Sequence, residues 1–312
     1  MFEVCSLTHS HYGGLCGGLL AACSILPSSA QAQPNQVPFS DPARMFEQAF
    51  GEDSVEDRKA IEKIEISVEE EQRLGKEILR NGLATLKDAG IAVETQGRDV
   101  EYLQSLVATL QPYMKNRNRY KTLQVMVARS SKIDARSCPG GTLIFYEGLL
   151  DSAGSEAALA GIVGHELSHL DRGHQLFPLR RVKLMQKRLS QPQEATQFIQ
   201  FGQEMTRLWA RPFRPEDERD ADQDGVDWSY KAGYDPREMA KLFAKQKQQP
   251  FAAESPPWET FFRSHPNNAD RQQAILKRFE SLQKGKQPAQ TLFTGKDNLA
   301  QRVSRKQQDA KP

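Results

Sequence analysis

His165-Glu166-Leu167-Ser168-His169 ends an apolar run, Ala157-Ala158-Leu159-Ala160-Gly161-Ile162-Val163-Gly164, that reads as a buried helix. On a helix, residues i and i+4 lie roughly 40° apart and about one turn along, so both imidazoles project from one face. Such a pair offers two nitrogen ligands to one tetrahedral Zn²⁺. Glu166 lies about 100° round from His165. It can reach the water that a metal activates without itself being a ligand. The five residues thus supply two ligands and a general base for metal-assisted hydrolysis. The same pattern also arises by chance, mostly on solvated helices. Here small apolar residues precede it, and buried imidazoles and a buried carboxylate need partners, which favours the metal.

The 312 residues give room for one large domain or two small ones. The 42 Lys and Arg are matched by 40 Asp and Glu, a net charge of +2, so no nucleic-acid partner is expected. No stretch reaches ~18 consecutive apolar residues, so no transmembrane domain is expected either. Leu15 to Leu26 is short, apolar and rich in Gly, Ala and Cys, and Ala30-Gln31-Ala32 follows it. This reads as a secretory signal over residues 1–32, cleaved after Ala32. Leu20-Ala21-Ala22-Cys23 resembles a bacterial lipobox, which would instead leave Cys23 as a lipid anchor. Met1 to Gly14 lacks the Lys or Arg that either signal carries. The expectation is an exported protein, periplasmic or membrane-associated in the bacterial envelope. Cleavage after Ala32 would leave Cys138 alone, with no internal disulfide.

Residues 33–53 are polar and proline-punctuated and read as a linker. Ser54 to Asn81 fits one or two amphipathic helices, and Val100, Leu103, Leu106, Val107 and Leu110 form a helical stripe that Pro112 closes. Leu123, Val125 and Val127 mark a strand, and Thr142 to Tyr146 a second, introduced by Pro139-Gly140-Gly141. Beyond the motif come a basic amphipathic region (Leu176 to Trp209) and helices over Pro215 to Ala232, Asp235 to about Gln248, and Asn267 to Leu282. Residues 284–312 are rich in Lys and Gln and read as a disordered tail. The fold class is α+β and mainly helical, with one domain over 54–283.

A hydrolytic zinc site needs a third protein ligand. His174 is nearest, but on a continued helix it lies about 140° from His169 and points away from the shared face. The acid-rich stretch Glu216-Asp217-Glu218-Arg219-Asp220-Ala221-Asp222 is the better source, and its chemistry alone does not choose among five acids.

His-Glu-x-x-His followed by Glu-x-x-Ala-Asp resembles the gluzincin-type zinc endopeptidases that include HtpX-like proteases, CAAX prenyl proteases and periplasmic BepA-like proteases. Cys138 to Leu150 resembles the family's Pro-Gly-Gly strand, and Ser155 to Ala160 its run into the motif. Ala232-Gly233-Tyr234-Asp235-Pro236 and Ser264-His265-Pro266, with Arg271 five residues beyond the proline, resemble two further segments. The resemblance spans roughly residues 60 to 280. It implies a zincin-type metallopeptidase domain whose sheet edge borders the cleft, and one Zn²⁺ held by His165, His169 and Glu218. It also implies Glu166 as base, Asp222 as a carboxylate orienting a ligand histidine, and His265 near the metal, as an oxyanion donor or a latch. Thr142, Leu143, Ile144, Phe145 and Tyr146 are read as the exposed edge that pairs with an extended peptide. The expected partners are unfolded or misassembled polypeptides. The rival reading is a latched, chaperone-like envelope factor in which His265 closes the fourth coordination position. Unlike membrane members of the family, this chain has no spanning helix, and unlike many soluble ones it ends in a short tail.

Overall fold

Ser155 and Gly173 delimit the helix that carries the motif. The Ser155 hydroxyl accepts the Ala158 N–H at 3.2 Å, and Gly173, at φ 69°, takes the left-handed conformation that closes the last turn. The computed structural model describes residues 54–188, 213–246, 269–284 and 291–310. The expected signal and linker, Cys23 and His265 lie outside the described residues. In chain order the elements are α1 (Val55–Glu62), α2 (Val68–Asp88), β1 (Val93–Glu94), α3 (Arg98–Leu110), β2 (Gln124–Ala128), β3 (Ala135–Cys138), β4 (Thr142–Tyr146) and α4 (Glu147–Ser152). The motif helix α5 (Glu156–Arg172) follows, then α6 (Phe177–Arg188), α7 (Pro215–Lys231), α8 (Arg237–Gln246), α9 (Ala269–Gln283), α10 (Lys296–Gln301) and α11 (Arg305–Asp309). Among the described residues no helix is long and apolar enough to cross a membrane.

The strands form one mixed sheet in the order β1-β2-β4-β3. β4 runs parallel to β2, with Val125 opposite Leu143 and Val127 opposite Phe145, and antiparallel to β3, with Ser137 opposite Leu143. Val125, Val127, Leu143 and Phe145 face the main core with α3 and α5. Met126, Ala128, Ile144 and Tyr146 face a second cluster covered by Leu79, Leu83 and Leu86 of α2. Both faces are therefore buried, and every residue of β4 is buried. This corrects the expectation for Thr142–Tyr146. That strand is internal, its backbone is paired on both sides, and no peptide can add to it. Among the described residues the edges are β1 and β3, neither of which stood out in the sequence. β3 is the edge that packs on α5.

Two glycines set the distance between α5 and α7. A Cβ on Gly164 would lie 3.0 Å from Gly225 Cα, and one on Gly225 would lie 2.7 Å from Gly161 O. Backbones this close allow short side chains on one helix to reach the other. Ser168 donates to Asp224 at 2.7 Å, and Arg172 pairs with Asp220 and Asp224. The same crossing aims Glu218 and Asp222, on the Gly225 side of α7, at His165.

The expectation of a structureless tail does not hold for residues 291–310. Gly295 O and Thr294 O accept the first N–H groups of α5, from Glu156 and Ala157, at 3.1 and 3.0 Å. Phe293 pairs through its backbone with Gly233 and Asp235, and Leu299 is buried. Arg302 binds Asp99 and Asp151. Backbone hydrogen bonds, ion pairs and the packing of Phe293 and Leu299 on the main core hold this segment, few as its large apolar residues are.

Candidate metal centre

Three donor groups converge where α5 and α7 cross. His165 Nε2 and His169 Nε2 are 3.0 Å apart. Glu218 places Oε2 3.6 Å from the first and Oε1 3.6 Å from the second. All three side chains are buried. Ligand atoms about 2.0–2.1 Å from a tetrahedral centre lie about 3.3 Å from one another, so spans of this size fit a single metal ion. The hydrogen-bonding logic agrees. Asp222 Oδ1 lies 3.0 Å from His165 Nδ1. An ionised carboxylate only accepts, so the proton of His165 sits on Nδ1 and Nε2 carries the lone pair toward Glu218. Lone pairs and a carboxylate gathered in a dry site call for a cation.

Arg271 of α9 ties the carboxylates together. Its Nε and Nη2 each donate to Asp222 at 2.7 Å, and Nη1 lies 2.9 Å from Glu218 Oε2. Burial pushes the Asp222 carboxyl upward, but Arg271 and the His165 hydrogen bond outweigh it and hold it below the ordinary range. Burial raises Glu218 to about 7 against the pull of His165 and Arg271. The geometry separates the five acids of this stretch. Glu216 pairs with Arg58, Asp217 with Arg214 and Asp220 with Arg172, while Glu218 and Asp222 turn inward.

Glu166 is fully buried on α5, and its charge acts on Arg271 and Cys138, which places it beside the cluster. Burial raises the Cys138 thiol to about 11, so it stays protonated at neutral pH.

Two side chains escaped sequence reasoning, and the direction of a third was misread. His174 is not on a continued helix, because Gly173 breaks it. The ring sits buried in a 3₁₀ turn with Nδ1 2.9 Å from His169 Nδ1. Phe213 stacks on His169 with ring centroids 3.9 Å apart at 15°, and no periodicity marks it. Arg271 was visible only as a residue at a motif spacing, with no role attached.

The model of peptidase family M48 matches residues 99–279, more than half of the chain.

Proposed function

The chain belongs to peptidase family M48, and we propose that it is a zinc metalloendopeptidase, with one Zn²⁺ per chain held by His165, His169 and Glu218. The observation that carries this reading is the convergence of two Nε2 atoms and a carboxylate at mutual spans of 3.0 to 3.6 Å. When bound, the ion would acidify a water to near-neutral pKa and polarise the scissile carbonyl.

The chain supplies the rest. Glu166 takes the proton as water attacks the scissile carbonyl and passes it to the leaving amine. Asp222 holds His165 in the tautomer that leaves Nε2 open, and Arg271 keeps Asp222 and Glu218 in place. Burial keeps bulk water from screening these charges. The substrates we propose are unfolded or misassembled polypeptides: an extended chain bound through its backbone is recognised with little dependence on side-chain sequence. The proposed setting is the bacterial envelope, in protein quality control. Its support is the apolar segment Leu15 to Leu26 followed by Ala30-Gln31-Ala32, with Cys23 as the alternative lipid anchor.

The test is casein degradation by wild type and Glu166→Gln, with zinc content measured on both. Wild type should cleave casein within the chain and carry one zinc. Glu166→Gln should keep the zinc and lose at least about 10²-fold in rate. Undiminished cleavage by the variant would remove Glu166 from the mechanism. A wild type without zinc would sink the metal assignment.

A further inference from the structure

We infer that His174 is a positioning residue: it accepts the Nδ1–H of His169 and so fixes that ring with Nε2 turned into the ligand cluster. The inference rests on the zinc reading above and extends it to a residue that reading leaves unused. The two Nδ1 atoms are 2.9 Å apart and the rings meet edge to face at 72°. Two imidazole nitrogens at that distance share one proton, so one donates and the other accepts. For His169 to ligate through Nε2, its proton has to sit on Nδ1. His174 Nδ1 is then the acceptor, and the His174 proton sits on Nε2. That nitrogen faces Asp217 Oδ1 at 3.7 Å, and Asp217 is clamped by Arg214 through bonds of 2.8 and 2.7 Å. At 3.7 Å there is no hydrogen bond to Asp217, but the Asp217 charge favours a proton on the nearer nitrogen, and the His174–His169 contact orders the second ring. Asp217 stands one residue before the ligand Glu218, on the same helix.

The backbone is built for this contact. A helix continued past Arg172 would carry His174 about 140° away from His169. The left-handed turn at Gly173 instead folds the chain back, and His174 is buried against the ring it serves. Phe213 covers a face of the same imidazole, so its plane is held as well as its proton.

The test is zinc affinity, by competition with a chelator, on the full chain as wild type, His174→Leu and His174→Asn. Asparagine puts a carbonyl oxygen near the Nδ1 position and can accept the proton. Leucine fills the space and cannot. His174→Leu should weaken zinc binding by about 10–100-fold, as for loss of a partner behind a ligand histidine, while His174→Asn stays within about threefold. In the Co²⁺-substituted protein the visible absorption bands should shift in His174→Leu and hold their wild-type positions in His174→Asn. If His174→Leu does not fold, His174→Gln replaces it with the same expected loss, since its amide reaches the Nε2 position and not Nδ1. Equal losses in the Leu and Asn variants would make His174 a packing residue, and undiminished affinity in His174→Leu would leave it no role. Either result overturns the inference while the zinc reading stands. A wild type that binds no zinc overturns both.

Discussion

The two histidines of the motif stand one turn apart on one helix, yet opposite chemistry holds them. His165 backs onto an ionic flank, where Asp222 meets its Nδ1 and Arg271 grips both Asp222 and Glu218. His169 touches uncharged groups, the edge of His174 and the face of Phe213, with the Arg214–Asp217 ion pair one step further back. The difference has an electrostatic reason. Glu166, Glu218 and Asp222 gather three buried carboxyl groups around one guanidinium, a set that a divalent cation can balance. A second carboxylate behind His169 would overshoot that balance. A neutral histidine supplies the same orienting hydrogen bond without the charge.

If the flanks differ in this way, removing the charged one should damage the metal-free protein more than removing the neutral one. Asp222→Ala takes from buried Arg271 the carboxylate that accepts two of its hydrogen bonds. Stripping one partner from a buried pair costs about 3–5 kcal/mol, so the metal-free variant should unfold at much lower urea. His174→Leu strands one buried N–H, a cost of about 1–3 kcal/mol, so the urea midpoint of the metal-free protein should fall less. Equal losses in the two variants would erase the distinction.

Glu218 belongs to the ionic flank and to the ligand set at once. Glu218→Ala should reduce zinc affinity beyond the ~100-fold that loss of an outer partner brings. Asp220→Ala, which removes a half-exposed partner of Arg172, should leave affinity unchanged. Chelator titrations giving the reverse order would move the third ligand along α7 and dissolve the comparison.

Gly225→Ala acts on both flanks together. Its methyl group would sit 2.7 Å from Gly161 O and 3.2 Å from His165 N. Prising α5 from α7 should cost about 1–3 kcal/mol, as overpacking does. Urea midpoint and zinc affinity should fall in parallel, and a neutral result would show that the crossing has slack.

The pattern of what was legible follows from the range of each interaction. The motif was readable because both histidines and Glu166 answer to a single helical period. Glu218 was not separable from its neighbours by chemistry, because the choice depends on which face of α7 meets α5. Gly225 sets that face, and a lone glycine inside a helix reads only as a cost. The run Thr142–Tyr146 carried a signal that went unused. A strand with consecutive apolar residues on both faces, here Leu143, Ile144 and Phe145, belongs inside a sheet covered on both sides, not at an edge. Residues 291–310 left only a sparse apolar trace, chiefly Phe293 and Leu299, because backbone carbonyls and Arg302 do much of the holding.

The smallest expected effect is also the finest probe of the two flanks. Phe213→Leu keeps apolar cover over His169 and loses the flat face. Ring stacking contributes about 0.5–1.5 kcal/mol beyond burial, so zinc affinity should fall by less than about tenfold. Its value lies in combination. Phe213 and His174 restrain one imidazole, so either alone should still limit the ring, and removing both frees it. The Phe213→Leu and His174→Leu pair should therefore lose more than the sum of the singles, by at least about 0.5 kcal/mol. Phe213→Leu with Asp222→Ala acts on different rings and should add within about 0.5 kcal/mol. Strong coupling in the second pair would mean that the two histidines are held as one unit, and that the charged and neutral flanks are parts of a single support.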